Sequence, residues 1–371
     1  MKILQIGKFY PLKGGVEKVM YAFAEGLSQR GIRCDAMFAG CDGHTTDFDL
    51  NPHCHIFICQ TLLEAKATKI APTMVSTLRS IRREYDIIHI HHPDPMAALA
   101  LYSSGYRGKV VLHWHCDIIR QNQLLKLYRP LQSWLIKRAD VIVGTSPVYL
   151  QQSEALAAVQ DKCCDIPIGI YETASDDAAT ARIRAQYPGK HIVFSLGRLV
   201  LYKGYEYLIE ATRHLPEDYV VLIGGTGHQH NHLQELITSQ GLQDRVHLLG
   251  FVPDELLGSY FEACDVFCLT SIDKREAFAI VQAKAMFHSK PVVSTDIPGS
   301  GVPWVNEHGV SGINVPPRDS QATARAIQEI CADPARYQQY CQESRQRYEK
   351  HFRMEDMITS CYHLYEKLLD E

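Results

Sequence analysis

Short apolar runs alternate with helix-like segments along the whole chain, and this alternation limits the possible folds more than any other feature. KILQIG at 2–7, DIIHIHH at 86–92 and KVVLHWH at 109–115 are strand-like, and helix-like stretches lie between them. Unbroken apolar strands connected through helices are typical of a parallel sheet that is covered on both faces. The pattern therefore predicts an α/β chain with doubly wound, Rossmann-like sheets.

The alternation stops once and then restarts, which predicts two domains. A polar stretch covers 168–190, and HIVFSLG at 191–197 begins a second series of strand-like runs. A chain of 371 residues has room for two domains of usual size. We expect one domain over 1–170, a second over 171–353, and a C-terminal helix within 354–371. Ligands of such sheets bind beyond the carboxyl ends of the strands, so a deep cleft between the domains is the expected site.

Composition disfavours several classes of protein. The 38 Lys and Arg residues face 42 Asp and Glu residues, and the net charge of −4 argues against a nucleic-acid partner. No apolar run approaches the roughly 18 residues of a membrane helix, and the N-terminus lacks a signal-peptide pattern. The 12 cysteines are scattered without zinc-site spacing. We therefore expect a cytoplasmic protein with reduced thiols.

Two cations follow the first strand of the second half, in SLGRLVLYKG. Arg198 offers a fork of donors and Lys203 a point charge, a combination that suits a diphosphate. Two solvated loop charges would produce the same pattern. Gly15, at the start of the first helix-like segment, and Gly225 and Gly227, after a later strand, would let backbone approach a ligand, or they would only form turns.

Polar side chains at other strand ends are further candidates. Glu276 follows a strand and precedes a helix, where a carboxylate accepts hydrogen bonds from sugar hydroxyls or faces the helix dipole. His89 and His91 share one strand face, and His113 and His115 end another strand. Clustered histidines suggest zinc, but the usual ligand spacings are missing. We expect these rings to line a cleft, with His115 bonding a substrate hydroxyl.

A basic segment lies near residue 75. It forms either a solvated face or a contact for anionic lipid headgroups. Its members are Lys66, Lys69, Arg79, Arg82 and Arg83.

In their order and spacing, the motifs resemble the retaining glycosyltransferases of family 4, which have the GT-B fold. The resemblance covers essentially the whole chain. Two segments are also similar to a subgroup of bacterial surface-polysaccharide mannosyltransferases. The resemblance to family 4 rests on GGVE at 14–17, HWHCDIIRQ at 113–121, SLGRLVLYKG at 195–204, GGTG at 224–227, REAFAIVQAKAM at 275–286 and KPVVSTDIPGSGVPWV at 290–305. The two segments similar to the subgroup are HWHCDIIRQ at 113–121 and GSGVPWVNEHGVSG at 299–312.

The resemblance implies a reaction. A hexose, possibly mannose, would move from a GDP- or UDP-linked donor to a saccharide acceptor carried on a polyprenyl diphosphate. The anomeric configuration would be retained, and neither a metal nor another cofactor would be needed. Peripheral contact with the inner face of the membrane would bring the enzyme to its acceptor. The C-terminal segment Met354–Leu369 would pack back on the N-terminal domain.

The resemblance also assigns roles to residues. Arg198 and Lys203 would stabilise the departing diphosphate, and Glu276 and His115 would contact the donor sugar. Asp117 and Arg120 would lie on the acceptor side. Further donor-binding positions would be Gly15, Gly225, Gly227, Ala277, Phe278, Ala279 and Lys284.

One position departs from the family pattern. Lys284 stands where the family has a second glutamate, which accepts from ribose hydroxyls, and an ammonium can only donate. Two alternatives therefore stay open beside the transferase: a nucleotide-sugar epimerase on the same fold, and a degenerate sugar-nucleotide-binding subunit that partners an active enzyme. A NAD-dependent oxidoreductase is poorly supported, because neither half has a clean GxGxxG after its first strand.

Overall fold

The computed structural model describes residues 1–12, 14–41, 46–65, 68–118 and 122–371. The chain forms two compact units. The first unit contains Met1–Ile168 together with Met354–Glu371, and the second contains Gly169–Arg353. The change of unit after Ile168 lies two residues before the boundary expected from the sequence.

The first unit is built on an eight-stranded sheet with the order β10-β9-β8-β7-β1-β2-β4-β3. All neighbours in it are parallel except β3 and β4, and a separate antiparallel hairpin joins β5 to β6. The strands are β1 (Lys2–Tyr10), β2 (Arg33–Gly40), β3 (Phe48–Asn51), β4 (Cys54–Cys59), β5 (Leu63–Ala65), β6 (Thr68–Ile70), β7 (Ile87–His92), β8 (Lys109–Trp114), β9 (Val141–Gly144) and β10 (Cys163–Asp165). The helices are α1 (Gly15–Gln29), α2 (Thr73–Ile81), α3 (Pro95–Ser104), α4 (Asn122–Arg138) and α5 (Pro147–Gln151).

The second unit is built on a six-stranded parallel sheet with the order β13-β12-β11-β14-β15-β16. The strands are β11 (His191–Leu196), β12 (Tyr219–Gly224), β13 (Val246–Gly250), β14 (Val266–Leu269), β15 (Val292–Thr295) and β16 (Gly312–Val315). The helices are α6 (Asp177–Ala185), α7 (Tyr205–Thr212), α8 (His230–Ser239), α9 (Asp254–Ala263), α10 (Ile280–Phe287), α11 (Val302–Val305), α12 (Ser320–Ala332) and α13 (Pro334–His351). The last helix of the chain, α14 (Met354–Asp370), belongs to the first unit.

Both sheets follow the doubly wound pattern that the sequence predicts. Every residue of β7 and of β12 is buried, as expected for strands covered on both faces. Several helices begin at side-chain caps that the sequence supplies. Asp94 accepts from the amides of Met96 and Ala97 at the start of α3, and Asp319 accepts from Ala322 at the start of α12.

The last helix packs on the first one through a close contact. A Cβ atom at Gly26 of α1 would lie 2.2 Å from Ile358 Cδ1 of α14, so a larger residue at Gly26 would displace the Ile358 side chain. Within the described ranges, no helix has the length and the apolar character that crossing a bilayer requires.

Two regions differ from the sequence interpretation. The stretch read as a polar seam contains α6, which is capped by Asp176 and packs against α9. Its polar, alanine-rich composition suits a helix with one buried edge, at Ala179 and Ile183. The hairpin β5–β6 was not predicted, because its two strands are only three residues long each.

Candidate functional site

The strand order of the second unit places Arg198, Lys203 and Glu276 at the switch point of its sheet. In the second unit, chain connections leave β11 toward one side of the sheet and β14 toward the other, so the two strands flank the switch point of the topology. Ligands of doubly wound sheets bind at this point, beyond the carboxyl ends of the strands. Arg198 and Lys203 follow β11, and Glu276 follows β14.

Lys203 and Glu276 form a buried ion pair. Lys203 Nζ lies 2.5 Å from Glu276 Oε2, and Ser271 donates its hydroxyl to the same oxygen at 2.9 Å. Each of the two charged residues is only 8% exposed. The alternative of a solvated loop charge is therefore wrong for Lys203. The pair offers a cation and a carboxylate, each neutralising the other, at the switch point.

Arg198 differs from Lys203 because it is exposed. Its Nη2 lies 3.3 Å from the hydroxyl of Tyr202. The guanidinium carbon of Arg275 lies 5.0 Å from the centre of the Tyr202 ring, and Arg275 Nε donates to Asp273 at 2.7 Å. Arg275 and Tyr202 are thus part of the cationic surroundings. Sequence reasoning missed them, although Arg275 directly precedes Glu276.

The turn from Glu276 into α10 presents amide groups at the helix N-terminus. Ala279, the N-cap, has φ 61° and ψ 70°, a left-handed conformation that costs a non-glycine residue about 1–3 kcal/mol. The turn is held by Gly301, whose amide donates to the Ala277 carbonyl at 2.8 Å. In the part of the chain that is described, the amides of Phe278 and Ala279 have no backbone acceptor. A helix N-terminus with open amides favours an anion.

The Phe278 side chain has a structural role. It is 3% exposed, and its ring centre lies 5.8 Å from that of Phe352 and 6.4 Å from that of Trp304. Only the backbone of Phe278 can therefore serve a ligand.

Gly225 and Gly227 hold two loops together. A Cβ atom at Gly225 would lie 1.9 Å from the Gly197 carbonyl oxygen, and one at Gly227 would lie 2.3 Å from that of Leu199. Both have positive φ angles, 134° and 159°. The Gly225 amide already donates to the Gly250 carbonyl at 2.7 Å. Glycine is needed at both positions because two backbones meet. The expected donor-binding role of Gly225 and Gly227 stays a prediction.

Lys284 is half-buried one turn into α10. Among the carboxylates that precede it in sequence, Glu276 pairs with Lys203 and Asp273 pairs with Arg275.

The equivalent switch point of the first unit lies between β1 and β7. Gly15 begins α1 there, and a Cβ atom at the preceding Gly14 would lie 2.3 Å from Glu17 Oε2. Lys8 has φ 59°, its amide donates to Asp94 Oδ2 at 2.5 Å, and its ammonium contacts the Pro93 carbonyl. Sequence reasoning missed Lys8, whose only sequence signal is its position directly after the strand-like run at 2–7.

The histidines form a buried stack, and the expectation that they line a cleft is wrong for His89, His91 and His113. His89, His91 and His113 are at most 1% exposed, and His115 is 5% exposed. The rings of His113 and His115 are 4.1 Å apart and inclined by 4°. The cause is that β7 and β8 are neighbours in the middle of the sheet and their alternate residues face the same layer.

Burial keeps these rings neutral. Desolvation lowers the pKa of His113 to about 3, and it lowers the pKa of His115 well below its usual value, with neighbouring His113 and Lys8 adding to the effect. In the described chain, His91, His113 and His115 form a group whose potential ligand atoms lie within 4.8 Å of one another. The prediction that no metal binds stays a prediction.

Asp117 anchors its loop. Its Oδ1 accepts from Trp114 Nε1 at 2.9 Å and from the Ser153 hydroxyl at 2.8 Å, and its amide donates to the Tyr149 hydroxyl at 2.8 Å. Arg120 lies outside the described residues, so its expected acceptor-side position stays a prediction.

Comparisons with known proteins decide the family. The description "Glycosyltransferase Family 4" matches residues 13–172, and "Glycosyl transferases group 1" matches residues 177–348. An O-antigen chain mannosyltransferase C of Escherichia coli is 31% identical over 376 residues, which cover 100% of this chain and 99% of that protein. The chain belongs to glycosyltransferase family 4. A D-rhamnosyltransferase of Pseudomonas aeruginosa is 29% identical over 95% of this glycosyltransferase and 92% of its own length.

Solved structures show the same GT-B fold. The Anabaena protein HepE in complex with UDP has a TM-score of 0.80 and 21% identity, and the match covers 99% of this glycosyltransferase and 100% of that chain. A sucrose-phosphate synthase from Thermosynechococcus elongatus also has a TM-score of 0.80 and 21% identity, with 100% of both chains covered. The resemblance stated from the motifs is confirmed. The epimerase and the binding-subunit alternatives are not favoured, because the relatives are transferases.

Proposed function

We propose that this glycosyltransferase moves a hexose of the manno configuration from a GDP- or UDP-linked donor to a saccharide carried on a polyprenyl diphosphate, in the cytoplasm, during surface-polysaccharide assembly. The anomeric configuration is retained, and no metal takes part. The two relatives that match nearly the whole chain support the sugar, since D-rhamnose is 6-deoxymannose.

The Lys203–Glu276 pair carries the proposal. Transfer breaks the bond between the sugar and the diphosphate, so negative charge develops on the departing phosphate oxygen. A fixed cation aimed at that oxygen stabilises the transition state, and one such electrostatic contact contributes about 2.7–4 kcal/mol. Lys203 is buried, held in place and close to the switch point. These are the conditions under which a single ammonium acts most strongly, because little water screens it.

Three further groups extend the anion site. Arg198 is exposed and can fold onto the outer phosphate, and the open amides at the start of α10 face an anion with the positive end of the helix dipole. Together these donors replace the divalent cation that many diphosphate sites contain. Activity is therefore expected to survive chelation.

Glu276 can pair with Lys203 or accept hydrogen bonds from the sugar. While it pairs with Lys203, its Oε2 accepts from both Lys203 and Ser271. When a diphosphate draws the ammonium, the carboxylate is freed to accept hydrogen bonds from sugar hydroxyls. A carboxylate so placed orients the sugar. Retention would then follow from attack on the same face as the leaving group, assisted by the departing phosphate.

The test is a transfer assay with the purified chain. GDP-mannose, GDP-rhamnose, UDP-glucose and UDP-galactose are supplied in turn with a polyprenyl-diphosphate-linked oligosaccharide, with and without excess EDTA. We expect transfer of mannose or rhamnose, and NMR should show the α-configuration in the product. The rate of transfer should be the same with and without EDTA. An inverted product would overturn the retaining mechanism, and loss of activity that zinc restores would overturn metal independence.

Peripheral membrane contact is the remaining part of the proposal. The β5–β6 hairpin and α2 both lie against α3. The hairpin segment exposes Leu62 (69%) and Leu63 (59%), and α2 exposes Arg79. Lys69 contributes less charge than expected, because its ammonium lies 2.6 Å from Glu64.

Lys66 of the basic segment lies outside the described residues, and Arg83 is exposed directly after α2. Apolar tips beside arginines fit the boundary of an anionic bilayer, where each basic residue contributes about 1 kcal/mol. Binding to vesicles with 30% anionic lipid should exceed binding to neutral vesicles and fall as salt rises. Equal partition to both vesicles would contradict this contact.

A further inference from the structure

A line of hydrogen bonds crosses the core of the first unit, from the last helix to His115. Gln5 Nε2 donates to the Tyr365 hydroxyl at 3.0 Å, Gln5 Oε1 lies 2.8 Å from His91 Nε2, and His91 Nδ1 lies 2.9 Å from His115 Nε2. Gln5, His91 and Tyr365 are completely buried. The four residues come from β1, β7, the end of β8 and α14, so segments distant in sequence meet in one network.

The network determines which ring nitrogens carry protons. In a neutral imidazole one nitrogen donates and the other accepts. The amide nitrogen of Gln5 faces the Tyr365 hydroxyl and, at 3.6 Å, the Cys34 sulfur, so its oxygen faces His91. With the amide in this orientation, His91 donates from Nε2 and accepts at Nδ1. His115 in turn donates from Nε2, which leaves its Nδ1 with a lone pair. These proton positions follow from hydrogen-bond partners.

We propose that Tyr365, Gln5 and His91 are positioning residues that hold His115 as the Nε2–H tautomer, so that its Nδ1 accepts a hydrogen bond from a hydroxyl of the transferred sugar. This inference deepens the proposed function and rests on it for the identity of the ligand. The sugar hydroxyl becomes a donor to His115, and its own oxygen stays available to other groups. The wrong tautomer would present an N–H to that hydroxyl and reverse the bond.

The geometry of the stack favours this network over a metal centre. The rings of His91 and His115 are inclined by only 16°, and those of His113 and His115 by 4°. A ring nitrogen binds a metal in the plane of its own ring, and the nitrogens of stacked parallel rings cannot converge on one ion. The 2.9 Å between His91 Nδ1 and His115 Nε2 is a hydrogen-bond distance.

The last helix gains a role from this arrangement. Tyr365 is the point at which α14 enters the network, and its hydroxyl also contacts His89 Nδ1. Elsewhere the helix packs against α1, through the contact of Ile358 with Gly26 and a hydrogen bond from Arg30 to Thr359. Tyr365 holds the Gln5 amide in its orientation, and its hydroxyl is connected to His115 through three successive hydrogen bonds. The chain offers a matched control on the same helix: Tyr362 is partly exposed and is not part of the line from Gln5 to His115.

The experiment uses the full-length protein labelled with ¹⁵N-histidine. Long-range ¹H–¹⁵N correlation spectra of the ligand-free protein report the tautomer of each ring, and His115→Gln assigns its signals. In the wild type we expect His115 to be protonated at Nε2. In Tyr365→Phe we expect the second tautomer to appear and kcat to fall about 5- to 10-fold, with donor KM changed less than 2-fold. Tyr362→Phe should leave the spectrum and kcat unchanged.

A second pair of variants keeps the test decisive if Tyr365→Phe unfolds. His91→Asn keeps an oxygen that can accept from His115 Nε2–H, so tautomer and kcat should be retained. His91→Leu removes the acceptor, and both should be lost. Protonation of His115 at Nδ1 in the wild type, or normal kcat in Tyr365→Phe, would overturn the positioning role. A wild type that holds the tautomer and transfers no hexose would overturn the proposed function alone, because the spectrum requires no substrate.

Discussion

The two units share a topology and differ in the electrostatics of their switch points. In the second unit, the loops after β11 and β14 hold the charged pair Lys203–Glu276. In the first unit, β7 lies beside the switch point, and β7 and its neighbour β8 hold stacked histidines that burial keeps neutral. One switch point therefore offers fixed charge, and the other offers neutral hydrogen-bonding rings.

The difference also shows how each unit tolerates polar groups in its interior. The second unit buries two opposite charges as a pair. If one partner is removed, the remaining charge is buried without a counter-charge, at a large desolvation cost. The first unit buries titratable rings in their neutral form. Burial of these rings therefore lowers the free energy of unfolding only at acidic pH. Substitutions in the two sites should therefore fail in different ways.

The largest effect is expected at Lys203. Lys203→Met keeps the aliphatic stem and removes the ammonium, so turnover should fall at least about 100-fold, equivalent to ~2.7 kcal/mol. The variant also leaves the Glu276 carboxylate buried without its cation, which should lower the free energy of unfolding by about 3–5 kcal/mol. Initial rates and urea denaturation measure the two effects.

Two controls separate catalysis from folding in this variant. Lys203→Met combined with Glu276→Gln should recover most of the stability and none of the turnover. Arg182→Ala, at an exposed position of α6, should change neither quantity. Wild-type turnover in Lys203→Met would remove the ammonium from the mechanism.

The next effect is expected at Lys284. If a carboxylate there accepts from the nucleotide ribose, Lys284→Glu should tighten donor binding about 10- to 100-fold, because an unpaired polar group costs roughly 1–3 kcal/mol. Calorimetric titration with the nucleotide measures this. A collapse of turnover would mean that the ammonium itself binds the donor, and no change in affinity or rate would mean that Lys284 does not face the nucleotide.

A smaller effect is expected at Arg198, which sharpens the contrast with its buried neighbour. Arg198→Ala should reduce turnover about 10-fold, equivalent to ~1.4 kcal/mol. It should leave the free energy of unfolding within about 0.5 kcal/mol of wild type, because the side chain is exposed. Arg198→Lys should recover only part of the rate, since a point charge replaces a fork. A stability loss as large as that of Lys203→Met would contradict the distinction between the two cations.

The fold was predictable from sequence because its signals are local. The apolar runs of β12 and β14, YVVLIG and VFCL, indicate a covered parallel sheet without knowledge of any contact. The short hairpin β5–β6 was not predictable, because strands of three residues carry no periodicity.

The site was predictable only in part, because its chemistry depends on distant contacts. Sequence identified Lys203 and Glu276 separately, and the 2.5 Å contact between them spans 73 positions of the chain. The burial of His113 was not foreseen, because a histidine near the end of a strand is usually expected to line a binding cleft. Tyr365 could not be connected with Gln5, which lies 360 positions away.

The smallest effect at neutral pH, and the sharpest test of the neutral histidine stack, is expected at His113. The folded protein holds the pKa of this ring at about 3, because of burial, whereas an unfolded chain binds the proton near pH 6.5. Between these values the unfolded state binds one more proton, so stability falls as pH falls, by about 1.4 kcal/mol per pH unit from this ring.

Neither ring nitrogen of His113 has a partner in the described chain, so His113→Phe should cost less than about 1.5 kcal/mol at pH 7. Urea denaturation from pH 7.5 to 4.5 should show a shallower acid slope for the variant, by about one proton. An unchanged slope in His113→Phe would mean that this ring titrates in the folded protein much as it does in the unfolded chain, and the contrast between a charged site in one unit and a neutral site in the other would fail.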